Sequence, residues 1–314
     1  MHIILIVALL LGGGTSFAAQ SSLPGDTLYP IKVSVNESVR SFVSFSAEGK
    51  ASVQAGHALN RLEEAEELAA SGSLSADARA QIKENFKLHA DRVRERIAAF
   101  EADGNFAAAA NVSSEFEASL RAHQAILARL EAEHTDLRAD IEDVLGVVRV
   151  EISANAQTRT RAEAKVTASA GAETESAARG ALTASENKIA EVRKYVEANG
   201  AKFNAEARAA ADARIVSAAD LVVQGKAKID AKAYGEAFLL FKQAERKAQE
   251  AKLVLTSDAR LKIDLGGVLN VETRGETNGN ATRSNDASIK TDAGVKTEGA
   301  GTKTDGSIKV DIDL

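Results

Sequence analysis

The sequence predicts an all-α protein: an up-and-down bundle of helices or hairpins, a second helical unit, and a disordered C-terminal tail. Three observations predict it. Alanine supplies 61 of the 314 residues, aromatics are only 4% and tryptophan is absent; alanine has the highest helix propensity and loses no side-chain entropy in a helix. Both prolines, Pro24 and Pro30, lie in one short stretch, so residues 31–314 contain none. Helix interiors exclude proline because it lacks the N–H and clashes with the preceding turn. Finally, apolar residues recur at the helical period between glycine breaks through most of residues 47–264.

The chain opens on an apolar run, Ile3 to Leu11, followed by Gly12-Gly13-Gly14 and the small-residue exit Thr15-Ser16-Phe17-Ala18-Ala19. That pattern reads as a signal peptide over residues 1–18, cut after Ala18. It is too short to cross a bilayer as a mature helix, which needs about 20 apolar residues. The expectation is an exported protein, periplasmic, cell-surface or secreted, with no membrane span in the mature chain; an uncleaved signal acting as an anchor is the alternative. The n-region, Met1-His2, carries no Lys or Arg, which fits a weak signal or a start further upstream.

Next, Pro24-Gly25 predicts a turn, Asp26 the N-cap of the following helix, and Pro30 a place in its first turn. Ile31, Val35, Val39, Phe42 and Val43 then recur on one helical face. The stretch Leu23-Pro24-Gly25-Asp26-Thr27-Leu28-Tyr29-Pro30-Ile31-Lys32 resembles the opening of a bacterial extracytoplasmic helical family known only as a domain of unknown function. The family pattern is Leu-Pro-Gly-Asp-x-Leu-Tyr-Pro-x-Lys, often with proline where this chain has Thr27. The likeness runs on through Ala/Glu/Arg/Leu-rich helices such as His57 to Leu68 and covers about residues 21–130. It implies an extracytoplasmic helical domain and supplies no activity. On that resemblance Leu23, Pro24, Gly25, Asp26, Leu28, Tyr29, Pro30 and Lys32 are residues that start the fold, not catalytic ones.

Residues 47–70 form the first long helix, ended by Ser71-Gly72-Ser73, and Ser75 caps the next, whose stripe is Ile82, Phe86, His89, Val93, Ile97 and Phe100. Asp103-Gly104-Asn105 breaks the chain again, and one long segment follows over 106–150, with Phe116, Leu120, Ile126, Leu127, Leu130 and Leu137 as its apolar positions. These helices make an N-terminal bundle domain over 21–150. Residues 151–180 thin to Ala, Thr, Ser, Glu and Arg, which predicts a linker or a solvent-exposed helix. A second helical unit occupies 181–264, with Leu182, Ile189, Val192 and Val196 on one helix, Ile215, Val216, Ala219 and Val222 on the next, and Tyr234, Phe238, Phe241 and Ala248 on a third. A weak internal echo relates Asp103 to Phe116 with Ala233 to Ala244, as in two hairpins sharing one packing solution. The tail, 265–314, is rich in Gly, Thr, Asn, Asp and Lys and has no aromatic residue, so it cannot offset its ordering entropy by burial. Its end, Ile308-Lys-Val-Asp-Ile-Asp-Leu314, alternates apolar and polar residues, as a chance pattern in a flexible end or as an edge strand for a partner sheet.

The net charge is −6, from 39 basic and 45 acidic residues mixed along the chain, which argues against a nucleic-acid surface. With no cysteine, thiolate metal sites, thiol catalysis and disulfides are excluded. Glu131-Ala-Glu-His134 is a Glu-x-x-His, the half-site that dimetal bundles use twice, but no second copy exists. Glu131 and His134 are thus weak metal candidates, and His89 reads as a bundle histidine. No catalytic residue, cofactor or small-molecule substrate is inferred. The function expected is non-catalytic binding or scaffolding of envelope proteins. The rivals are a periplasmic stress- or metal-responsive chaperone, whose Leu-Thr-x-x-Gln signature the stretch Leu74 to Ile82 resembles without matching, and a dimetal-carboxylate enzyme.

Overall fold

The computed structural model describes residues 22–33, 46–169 and 171–261. Among them lie seven long helices: α1 (Ala47–Ala70), α2 (Ala76–Ala102), α3 (Phe106–Glu133), α4 (Arg138–Ala168), α5 (Ala172–Asn199), α6 (Ala205–Asp230) and α7 (Tyr234–Leu261). A short helical turn, Tyr29–Ile31, precedes α1, a 3-10 turn, Gly200–Lys202, follows α5, and no strand occurs among the described residues. The all-α class is therefore as expected. The signal segment, the apolar face expected through Val35, Val39, Phe42 and Val43, and the tail all lie outside the described residues.

Local chemistry sets most helix ends. Ser46, Ser75, Asn105 and Asn204 each accept a hydrogen bond from the N–H three residues on, at 2.7–3.2 Å, and so satisfy a donor that the helix itself leaves open. Helices α1, α2 and α6 leave by one and the same turn. Gly72, Gly104 and Lys232 have φ of 72°, 74° and 59°. The N–H groups of Ser73, Asn105 and Ala233 reach back to the carbonyls of Leu68, Phe100 and Lys228 at 2.7–2.8 Å, closing Schellman motifs. At Lys232 a side-chain-bearing residue holds the left-handed conformation that glycine holds at the other two, at a cost of about 1–2 kcal/mol. This is the structural content of the echo: α3 and α7 each begin after such a turn, on an aromatic residue, Phe106 and Tyr234.

Helices α6 and α7 run antiparallel, since Asn204 meets Asp258, Arg214 meets Glu250 and Lys228 pairs with Glu236. Gln54 meets His89 across α1/α2, Asn155 donates to the Ser113 carbonyl across α3/α4 at 2.5 Å, and Arg214 pairs with Glu250 across α6/α7 at 3.2 Å. Two pairs that are not neighbours in sequence run parallel, α3 with α7 and α2 with α4. Between α3 and α7, Arg246 donates to Ser114 and Gln249 to Ser119, two pairs that advance together along both helices. Between α2 and α4 the same holds for Lys83–Asp143 and Arg161–Glu101.

One continuous core joins all seven helices, from Ala51 on α1 to Leu255 on α7. Fully enclosed alanines such as Ala58, Ala65, Ala109, Ala211 and Ala244 let the helices approach closely, and Phe86, Phe116, Phe238 and Phe241 fill the wider layers. At Gly225 the approach is closest: a Cβ there would lie 2.3 Å from Cε1 of Phe241.

Four sequence expectations need correction. The segment 106–150 is not continuous, because His134, at φ −107° and ψ 76°, leaves the helix, and α4 begins at Arg138. The stretch 151–180 is not a linker or an exposed helix. It is the second half of α4 and the start of α5, and it buries Ile152, Asn155, Ala162, Glu163, Val166, Thr174 and Ala178. Its low hydrophobicity misled because that half of α4 is seated by alanine, an amide and charged pairs. The units 21–150 and 181–264 consequently share one core instead of standing apart. Lastly, Val216 is 58% exposed, so the buried face of α6 is Ile215, Ala218 and Val222.

Candidate functional site

The motif residues form a tight turn whose tyrosine and lysine reach α1. Gly25, at φ 101°, allows the turn. Asp26 does not cap the helix that follows; its carboxylate turns back to accept from the N–H of Leu23 at 2.7 Å, so it closes the loop itself. Pro30 lies in the first turn of Tyr29–Ile31, as expected. Pro24 is buried, Leu23 packs against the core, and Leu28 is half-buried. Tyr29 and Lys32 reach α1. The Tyr29 hydroxyl donates to Glu64 at 2.9 Å and accepts from Arg61 at 2.7 Å, and the Arg61 guanidinium also lies over the Tyr29 ring at 5.5 Å. Lys32 pairs with Glu64 at 2.7 Å and donates to the Ser22 carbonyl at 2.9 Å. Arg61 and Glu64 are enclosed. Burial holds the Glu64 carboxyl above its ordinary range even though Arg61 and Lys32 oppose the shift. Burial, followed by the Glu64 charge, likewise raises the Tyr29 hydroxyl.

Two further polar joints cross the bundle. On α1, Glu66 is fully enclosed, with Nδ1 of His123 (α3) 2.7 Å from one carboxylate oxygen and Arg260 (α7) 2.6 Å from the other. Burial alone would lower the His123 pKa; the charge and hydrogen bond of Glu66, aided by Glu63, outweigh burial and the opposing Arg260, and raise it. On α3, Glu117 holds Arg159 of α4 at 2.6 Å, Arg159 holds Glu163, and Glu163 meets Arg246 of α7 at 3.1 Å. These groups link three helices at a time, which is why α3 and α7 sit at the centre.

The metal candidates do not converge. Glu131 lies near the end of α3, whereas His134 is the C-cap residue with non-helical backbone, so the two no longer share a helical face. Glu131 instead faces Arg138 at 4.0 Å. No cluster of three metal-ligating side chains occurs among the described residues. His89 is buried, its ring 5.1 Å from that of His57 and its Nδ1 2.9 Å from Gln54.

One cleft joins an apolar wall to an incompletely engaged buried charge. It runs between α2 and α4, holds about 650 Å³, and is lined by Phe86, Val147 and Val150 together with Lys87, Arg94, Glu142, Asp143 and Glu151. The helices are bridged at either end by ion pairs, Arg79 and Lys83 with Asp143, and Arg94 with Glu151. Val150 is 68% exposed at its edge, while Glu151 is 4% exposed. Sequence reasoning did not find this site. Val150 next to a glutamate was the available signal, an apolar residue off the buried stripe. The partner of Glu151 is 57 residues away, and no local pattern names it.

Set against protein-family models, curated proteins and solved structures, the chain matches none of them.

Proposed function

We propose that this chain is an exported, non-catalytic helical protein that binds or scaffolds other components of the bacterial cell envelope, and that it belongs to the extracytoplasmic family whose opening motif it carries. The observation that carries this reading is the use of the motif itself. Tyr29 and Lys32 are committed to Arg61 and Glu64 on α1, so the motif works as a clasp that sets the start of the bundle directly after the signal segment. A signal-like run ending about five residues before a fold-starting clasp is how an exported domain is organised. The other enclosed ion pairs described above link helices to one another, which leaves recognition to outer surfaces and to the cleft between α2 and α4.

Cross-linking in intact cells tests the reading. The expected result is a defined envelope partner joined to the chain, and N-terminal sequencing of the mature protein should begin at Ala19. Recovery solely as a free monomer in the cytoplasmic fraction would overturn it.

A further inference from the structure

Helix α6 is apolar on two sides. Its inner face, with Ala211, Ile215, Ala218 and Val222, is buried in the core. Its outer face carries Ala209, Ala213, Val216, Asp220, Val223 and Ala227, all exposed. Of the five large apolar side chains exposed among the described residues, Val216 and Val223 are the two that share a helix, and they lie seven residues apart on one face, 58% and 67% exposed. The neighbouring α5 shows an ordinary solvent face, with Glu186, Glu191, Arg193, Lys194 and Glu197 at exposed positions. A helix with apolar residues on opposite sides calls for a partner on each.

The six outer residues of α6 are spaced alternately four and three apart, the spacing of a two-helix seam. Ala213, Asp220 and Ala227 take the a positions, Ala209, Val216 and Val223 the d positions, and Asp212 and Lys226 both sit at the g edge. This pattern is complementary to itself when reversed. Against a second α6 laid antiparallel, Ala213 meets Val223 of the copy, Ala209 meets Ala227, and Asp212 comes beside Lys226, each contact occurring twice by two-fold symmetry. A parallel copy would set Asp212 beside Ser217 and Lys226 beside Ala231, so neither charge would be met. Within the chain Lys226 pairs with Glu186 at 2.7 Å and Asp212 lies 4.0 Å from Arg208, yet the Lys226 and Asp212 side chains stay half exposed. The crossing charges therefore set orientation, and the valines supply the attraction.

We propose that the chain forms an antiparallel homodimer through the outer face of α6, with its two-fold axis near the level of Ala219. Asp220 then faces Val216 of the copy, a single polar residue in the seam that fixes register at a cost in stability. One helix pair lies at the small end of protein interfaces, so the dimer is weak, with a Kd of about 1–100 μM. The assembly goes beyond the envelope-binding reading and does not depend on it.

Sedimentation equilibrium of the full-length protein tests the assembly. A reversible monomer–dimer equilibrium is expected, weakened at least about tenfold by Val216→Glu, which puts a charge in the seam. Asp220→Val, which removes the one polar residue from it, should tighten the dimer at least about tenfold. Both positions are exposed, so the melting temperature of dilute protein should stay unchanged. Because the chain has no cysteine, orientation can be read by mild oxidation of engineered thiols. A mixture of the Ala213→Cys and Val223→Cys variants should form a disulfide that neither forms alone, as the antiparallel layer requires. Disulfides within each variant alone, or a dimer indifferent to Val216→Glu, overturn the proposal. So does a chain that stays monomeric at about 1 mM. Shielding of the Val223→Cys thiol from maleimide would then assign the face to residues 262–314, and free reaction would leave it to another protein. None of these results bears on in-cell cross-linking to an envelope partner, so the dimer and the envelope role fail separately.

Discussion

His123 carries the clearest consequence of a single side chain. Its pKa is raised in the folded protein, from 6.5, because Glu66 and Glu63 outweigh burial and Arg260. A group with a raised folded pKa adds stability that is fully present below its unfolded pKa and is lost as pH rises through the folded value. The α1/α3/α7 joint should therefore weaken on the alkaline side of 6.5. Urea unfolding across that range should show stability of the native chain falling with pH relative to His123→Asn; parallel pH profiles would sink the assignment. Arg61 makes a second prediction. It is fully enclosed against Glu64 and Tyr29, so Arg61→Met leaves the buried Glu64 with Lys32 as its remaining cation, removes a donor to Tyr29, and should cost about 1–3 kcal/mol. Arg92→Met, at an exposed position on α2, should stay within about 0.5 kcal/mol in the same denaturation experiment. Equal effects would mean that the clasp does not hold the bundle. Of these residues, Tyr29 and Lys32 were legible as members of a motif. Arg61 and Glu64 were not, because a charged helix run reads identically whether it faces water or an inward-turned tyrosine.

At the scale of the helix, glycine separates propensity from packing. Gly180 on α5 has open space where a Cβ would go, so Gly180→Ala should stabilise by about 0.5–1 kcal/mol through helix propensity alone. Gly225 on α6 is a glycine in a helix as well, but its Cβ would strike the enclosed ring of Phe241. Gly225→Ala should therefore destabilise by about 1–3 kcal/mol, and Phe241→Leu in the same chain should restore part of the loss. Thermal melts giving both alanine variants the same sign would refute the close α6/α7 approach. Helix ends were read well where their chemistry is local. Ser75 caps α2 and Gly72 and Gly104 terminate α1 and α2, because a side-chain oxygen or a missing Cβ acts within three residues. The end of α3 was not legible, since residues 134–137 contain neither glycine nor proline and the helix stops there without a local signal. The six-residue stripe of α2, from Ile82 to Phe100, is buried throughout, whereas Val216 and Val150 face outward despite their apolar character.

For the whole molecule, the shared core and the parallel pairing of α3 with α7 make the two expected units one cooperative body. Calorimetry should show a single transition with calorimetric and van't Hoff enthalpies in agreement. Two resolved transitions would restore the picture of separate units joined at 151–180. Composition, the exclusion of proline and the apolar period determined by themselves that this chain is helical, where α1, α2 and α3 begin and which stripe of α2 turns inward. Each of those features depends on a residue and its neighbours within one or two turns. Only the tertiary structure decided that 151–168 is a seated helix, that the motif's tyrosine and lysine close on α1, and that Glu151 is enclosed with one oxygen unmet. Those depend on groups 35, 57 or 83 residues apart, such as Tyr29 with Glu64, Arg94 with Glu151 and Glu163 with Arg246. Whether a charge is solvated or buried is fixed by the helix packed against it, and that partner is not written in the residue's own surroundings.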